Sequence, residues 1–149
     1  MDKAVSEALG EFFSGQKKLN QLGVISSRDY IGDIGRYLCR VVYGLEITKE
    51  SRQQDYDGTI GTSRVAVRMN NCPTGTPVRV NEPFEFDELI VILGPNCFLR
   101  PDGVASDFIF YRFTPDETRE RFKATSGAYI AGRQVFDRSY DKTLNMAAV

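Results

Sequence analysis

Leu89-Ile90-Val91-Ile92-Leu93 is an unbroken apolar run of strand length. A strand with one wet face alternates polar and apolar residues, so a strand apolar at every position has to be covered on both faces. The run is far short of the roughly 20 apolar residues that a membrane-spanning helix needs. It predicts the central strand of a layered α/β domain, with packing material above and below. A chain of 149 residues is long enough for one such domain and its core. The opening residues, Met1–Glu7, lack the basic and then apolar layout of a signal peptide. The expectation is a cytoplasmic protein with no membrane association.

The rest of the chain supplies the other layers. Residues 2–22 carry Val5, Ala8, Leu9, Phe12 and Phe13 at helical spacing, which predicts an amphipathic helix interrupted near Gly15. A second helix is predicted to start after Ser27-Arg28-Asp29, run through Ile31, Ile34, Leu38, Val41 and Val42, and stop at Gly44. Tyr56–Ile60 and Arg64–Met69 read as a hairpin around Gly61-Thr62-Ser63. Asn70–Pro83, with Pro73, Gly75, Pro77 and Pro83, reads as an irregular connection. Asp107–Phe113 is a further strand, and Thr114-Pro115-Asp116-Glu117 opens a short helix. Tyr129–Val149 adds either an edge strand or a packed tail. This order predicts a single domain over 1–149, an N-terminal helix at 1–22 and a core over about 23–145. The fold class is an α/β sandwich with a central mixed sheet flanked by helices.

Composition narrows the chemistry. The chain has no histidine, which excludes Ser-His-Asp and Cys-His hydrolases and any imidazole base. Its three cysteines, Cys39, Cys72 and Cys97, form no CxxC pair and are expected to be buried or idle thiols. Net charge is −1, so the protein as a whole is not a polycation. Charge is unevenly placed, however. Residues 61–80 hold Arg64, Arg68 and Arg79 with no acid, and the next eight hold Glu82, Glu85, Asp87 and Glu88 with no base. Arg64, Arg68 and Arg79 are therefore candidate phosphate contacts, with ordinary solvated or ion-paired charge as the alternative.

Strand alternation puts Val65 and Val67 on one face of the hairpin and Arg64, Ala66 and Arg68 on the other. Asp57 precedes the hairpin turn on the partner strand. An acid on one strand facing positions i and i+2 on the next resembles the site of the PD-(D/E)XK restriction-endonuclease-like superfamily. Upstream, Ile31-Gly32-Asp33-Ile34-Gly35-Arg36-Tyr37-Leu38 is similar to the Gly-Glu-x-Gly-Glu opening of a core helix in many such proteins. Asp33 stands for the first acid there and Arg36 replaces the second. The resemblance covers roughly residues 20–145. It implies Asp57 and Asp33 as Mg²⁺ ligands and catalytic residues, and Arg68 as the cation on the attacked phosphate. Two departures stand out: Ala66 supplies no ligand where the family places an acid or glutamine, and Arg68 replaces a lysine. Arginine grips a phosphate but gives up no proton at useful pH. Asp57-Gly58 as a turn pair, and Asp33 as a complement to a helix dipole, are the plain alternatives.

Three functions are compatible with these residues. One is a Mg²⁺-dependent DNA endonuclease of restriction type using Asp33, Asp57 and Arg68. Another is a nuclease fold that has lost its chemistry and binds nucleic acid, DNA above all, or another protein, as a non-catalytic module of a phage or bacterial defence or counter-defence system. In a third the fold is merely α/β and the protein is an unrelated interaction partner. A homodimer is allowed in each case. The resemblance predicts that Asp33, Asp57 and Arg68 share one pocket with Arg64 at its rim.

Overall fold

The computed structural model describes residues 1–48 and 56–146. Two helices come first, α1 (Lys3–Gln21) and α2 (Tyr30–Tyr43), followed by strands β1 (Glu46–Ile47), β2 (Gly58–Ile60) and β3 (Ser63–Asn70). Then come β4 (Val78–Asn81), β5 (Glu88–Leu93), β6 (Phe108–Phe113) and the short helix α3 (Pro115–Arg121). Strands β7 (Lys123–Thr125), β8 (Ala128–Ala131) and β9 (Lys142–Leu144) follow, with a single 3₁₀ turn at Arg133–Val135 before β9.

The chain is α/β with a mixed six-stranded sheet in the order β1-β2-β3-β5-β6-β9. Strands β3 and β5 are parallel, and every other neighbouring pair is antiparallel. The Leu89–Leu93 run lies inside this sheet and is buried throughout. Its side chains divide as expected for a strand covered on both faces. Ile90 and Ile92 join Leu38, Cys39, Val65, Val67 and Phe110 beneath α2. Leu89, Val91 and Leu93 join Val78, Val80, Tyr111, Phe113 and Phe136 on the opposite side. Burying a side chain of this size contributes about 1.5–3 kcal/mol, so the central run anchors both layers.

Helix α2 sits directly on β3 because Gly35 faces it. A Cβ there would lie 3.0 Å from the Cβ of Met69 and 3.4 Å from a methyl of Val67. The predicted cap is in place, with the Asp29 carboxylate accepting from Gly32 N–H at 3.0 Å. The helix stops at Gly44, whose φ is +73°. Helix α3 begins with the predicted cap: Thr114 Oγ1 accepts from Glu117 N–H, and the Glu117 carboxylate accepts from Thr114 N–H.

Three expectations need correction. Helix α1 runs through Gly15 without a break; a solvated glycine costs a helix only about 1 kcal/mol, too little to interrupt good helix formers on either side. The stretch Asn70–Pro83 is not wholly irregular, because it contains β4, whose Val78 and Val80 point inward while Arg79 and Asn81 stay exposed. The second face is covered mainly by a three-stranded antiparallel sheet, β4-β8-β7, beside short α3, so the main sheet is not flanked by helices on both sides. Of the two readings for Tyr129–Val149, the edge strand is realised in β9, while residues 147–149 lie outside the described residues. Among the described residues no helix is long and apolar enough to cross a membrane.

Candidate functional site

The hairpin forms where the sequence placed it, with β2 antiparallel to β3 and the turn at Gly61-Thr62. Asp57-Gly58 is therefore not the turn; it is the entry to β2. Asp57 donates its N–H to Val65 O at 2.8 Å. Its carboxylate Oδ2 then accepts from Val67 N–H at 2.7 Å. That carboxylate satisfies a β3 donor just beyond the point where β2 begins.

Asp33 reaches the same place from the first turn of α2. It is one of only two buried polar or charged residues among the described residues, at 9% exposure. Its Oδ2 accepts from Ser26 N–H at 3.0 Å and from Ser27 N–H and the Ser27 hydroxyl at 2.9 Å each. The residue that joins the two acids is Arg36. Its Nη2 donates to Asp33 Oδ1 at 2.6 Å, and its Nη1 donates to Asp57 Oδ1 at 3.2 Å. One planar guanidinium thus lies between the two carboxylates, with a side chain only 20% exposed. Arg68 approaches Asp57 from the far side, with Nη1 3.7 Å from Oδ2, while also donating to Val67 O at 2.9 Å. A polar cleft of about 560 Å³ opens on this network and is lined by Ser26, Ser27, Asp33, Arg36, Tyr37 and Arg40, among others.

The structure therefore brings Asp33, Asp57 and Arg68 into one chain of contacts, although Asp57 and Arg68 lie behind Arg36 rather than in the cleft. Arg64 is not at its rim. It grips Asp87 instead, through Nε, Nη2 and its backbone N–H. Arg79, on β4, donates to Asn81 Oδ1 at 3.0 Å. Ala66 is fully buried against the second layer, so a glutamate there would place its carboxylate in apolar packing. Sequence reasoning saw Arg36 only as a missing acid. Its i,i+3 spacing from Asp33 signals half of the bridge; the other half depends on how close α2 lies to the start of β2.

A divalent cation does not fit these donors. Mg²⁺ requires near-octahedral oxygen ligands at about 2.1 Å. Here every oxygen of Asp33 and Asp57 already accepts from a fixed donor, and the positive charge between them is Arg36. No group of three His, Cys, Asp or Glu side chains that could hold a metal ion occurs among the described residues. The cysteines form no bridge. Cys39 is buried and its thiol is pushed up to about 12 by desolvation, whereas Thr74 and Thr76 draw the Cys72 thiol down to about 7.

Burial alone would raise the Asp33 pKa. The donors outweigh it (Ser26 N–H first, then Arg36 and Ser27) and hold the group down to about 2 from its ordinary 3.8. Because the folded value lies below the unfolded one, this stabilisation is complete above pH 3.8 and is lost as pH falls toward 2. With solvent screening at the cleft it amounts to on the order of 1 kcal/mol. Asp33→Asn is expected to be less stable than wild type at neutral pH and nearly equal to it near pH 2. Urea melts at the two pH values check this, and a constant difference between the variants would contradict it.

No protein-family model matches the chain, and no curated protein matches it in sequence. The fold and site together define an α/β domain with a mixed sheet and a carboxylate–arginine–carboxylate network at the mouth of its hairpin.

Proposed function

We propose that this chain is a non-catalytic binding domain on a restriction-endonuclease-like scaffold. The observation that carries the reading is Arg36, whose guanidinium bridges Asp33 and Asp57 where the resemblance implies a metal ion. A permanently charged, side-chain-borne cation bridges both acids and balances one of their two charges, but it activates no water, unlike a divalent ion. Placement of Asp57 at the mouth of the β2–β3 hairpin supports the scaffold part of the proposal.

The partner class follows from where the arginines go. Phosphate binding draws on cations that can exchange counterions for phosphates. Arg64 is held by Asp87, Arg68 by backbone carbonyls beside Asp57, and Arg79 by Asn81. With a net charge of −1, these favour a protein partner over a nucleic acid.

Plasmid nicking with and without Mg²⁺, paired with nucleic-acid binding at several salt concentrations, tests both parts. The expected result is no Mg²⁺-dependent nicking and no specific retention of DNA or RNA. Nicking that disappears in Asp57→Ala would overturn the non-catalytic reading. Tight binding whose salt slope falls by about one unit in each of Arg64→Ala and Arg68→Ala would make nucleic acid the partner.

A further inference from the structure

Cys72 lies in the loop after β3 and Cys97 in the loop after β5, and the fold ties these two loops together. Phe98 N–H donates to Cys72 O at 2.9 Å, and Asn96 N–H donates to Asn71 Oδ1 at 2.9 Å. Chain segments joined in this way run about 5 Å apart. Bridgeable cysteines have Cα atoms about 4.4–6.8 Å apart, a window that adjoining segments meet. Asn70 links the two residues directly, because its Oδ1 accepts from Cys72 N–H at 2.9 Å and from the Cys97 thiol at 3.3 Å. Cys39 takes no part, being buried in the other core layer on α2.

The two thiols have opposite settings. Cys97 is buried, which raises its thiol above the ordinary range and shelters it as the protonated form. Cys72 is part-exposed and lines an open pocket of about 340 Å³ with Ile31, Met69, Asn70 and Asn71. Its sulfur lies 3.0 Å from Thr74 Oγ1 and 3.5 Å from Thr76 Oγ1. Hydroxyls at these distances donate to a thiolate and stabilise it, which draws the group down to about 7 from its ordinary 9.0. An accessible thiolate poised next to a second thiol is the setting in which a sulfenic acid condenses to a disulfide. Neither cysteine takes part in the Arg36 network.

We propose that Cys72 and Cys97 form a redox site, in which Cys72 takes a hydroperoxide as its oxidant and Cys97 then closes a disulfide with it. In the first step the Cys72 thiolate attacks one oxygen of hydrogen peroxide. An S–O bond forms, the O–O bond breaks, and the departing hydroxide takes up the proton that the thiol had released. In the second step the Cys97 sulfur attacks the Cys72 sulfur. The S–S bond forms, the S–O bond breaks, and the hydroxyl leaves as water with the Cys97 proton. Two thiols and one peroxide give one disulfide and two waters. Closing the bond turns the Cys72 sulfur about its Cα–Cβ bond, away from the two threonines and toward Asn70, with a small movement of its turn. The bridge clamps the loops at the C-terminal ends of the parallel strands β3 and β5.

Treating the reduced full chain with hydrogen peroxide, alkylating the remaining thiols and mapping the peptides by mass spectrometry tests it. Wild type is expected to lose two hydrogens and yield a Cys72–Cys97 linked peptide pair within one chain, reversed by dithiothreitol, with Cys39 still free. Cys97→Ala is expected to stop at a sulfenic acid on Cys72, trapped by dimedone. Cys72→Ser is expected to leave Cys97 unoxidised. Thr74→Val with Thr76→Val is expected to slow iodoacetamide labelling of Cys72 at neutral pH at least several-fold, a readout that does not depend on the bridge or on the buried position 97. Labelling unchanged in that variant overturns the threonine activation of Cys72. Wild type in which Cys72 is oxidised while Cys97 stays free, or in which the bridge joins two chains, overturns the role of Cys97. Wild type that consumes peroxide no faster than Cys72→Ser overturns the site.

Discussion

Arg36→Ala is expected to cost about 3 kcal/mol at neutral pH, the lower part of the range for removing one partner from a buried ion pair. The lower part applies because Arg36 is 20% exposed and Asp57 14%, so some water reaches the gap. Removing the guanidinium leaves two nearly buried carboxylates facing each other, one still held by Ser26 and Ser27 and the other by Val67. The loss corresponds to a fall in melting temperature of roughly 10 °C for a chain of this size. The deficit should shrink as pH drops below 4, because protonation removes the repulsion that Arg36 suppresses. Equal melting of Arg36→Ala and wild type would mean that the bridge is surface decoration.

The second large effect lies away from the site. Arg100 has no carboxylate partner among the described residues; its Nη1 donates to Gly94 O at 3.0 Å and Asp107 O at 2.9 Å, and its Nη2 donates to Val104 O at 3.1 Å and to Ser106 O. Those four carbonyls belong to the connection from β5 to β6, so one side chain organises a long loop that would otherwise carry unsatisfied backbone acceptors. Arg100→Ala is expected to cost about 2–3 kcal/mol, since each orphaned buried acceptor costs about 1–3 and water recovers part of the total. Arg100→Lys should recover little of the loss, because an ammonium cannot present the flat fork that spans these carbonyls. Urea melts of the two variants measure both statements, and a fully stable Arg100→Lys would contradict the second.

What the sequence disclosed were features written in neighbouring residues. The cap at Asp29, the stop at Gly44, the Thr114 capping box and the turn at Gly61 all depend on contacts a few positions apart, and each is found where the sequence placed it. The apolar Leu89–Leu93 run was legible because a strand covered on both faces cannot alternate. The second sheet was not legible. Strand β4 is four residues long between proline-containing segments, and its partner β8 lies about fifty residues away, so only long-range pairing stabilises it. The site was half legible. Asp33 and Asp57 could be named together from the pattern, but 24 residues separate them. Whether a cation or a side chain lies between them depends on how closely α2 packs against the sheet, which Gly35 permits. The arginines illustrate the same limit. Arg64, Arg68 and Arg79 form a basic strip in one dimension, and in three dimensions each is turned to a separate partner.

The central claim is that Arg36 occupies the cationic position between Asp33 and Asp57. Electron paramagnetic resonance of Mn²⁺ titrated into wild type and Asp57→Asn tests it most directly, because free and bound Mn²⁺ give different signals and Mn²⁺ accepts the ligands Mg²⁺ does. The account predicts identical titrations for the two proteins, with no saturable site in either. A stoichiometric Mn²⁺ site in wild type that is lost in Asp57→Asn would show that Arg36 gives way to a metal, and would contradict the account.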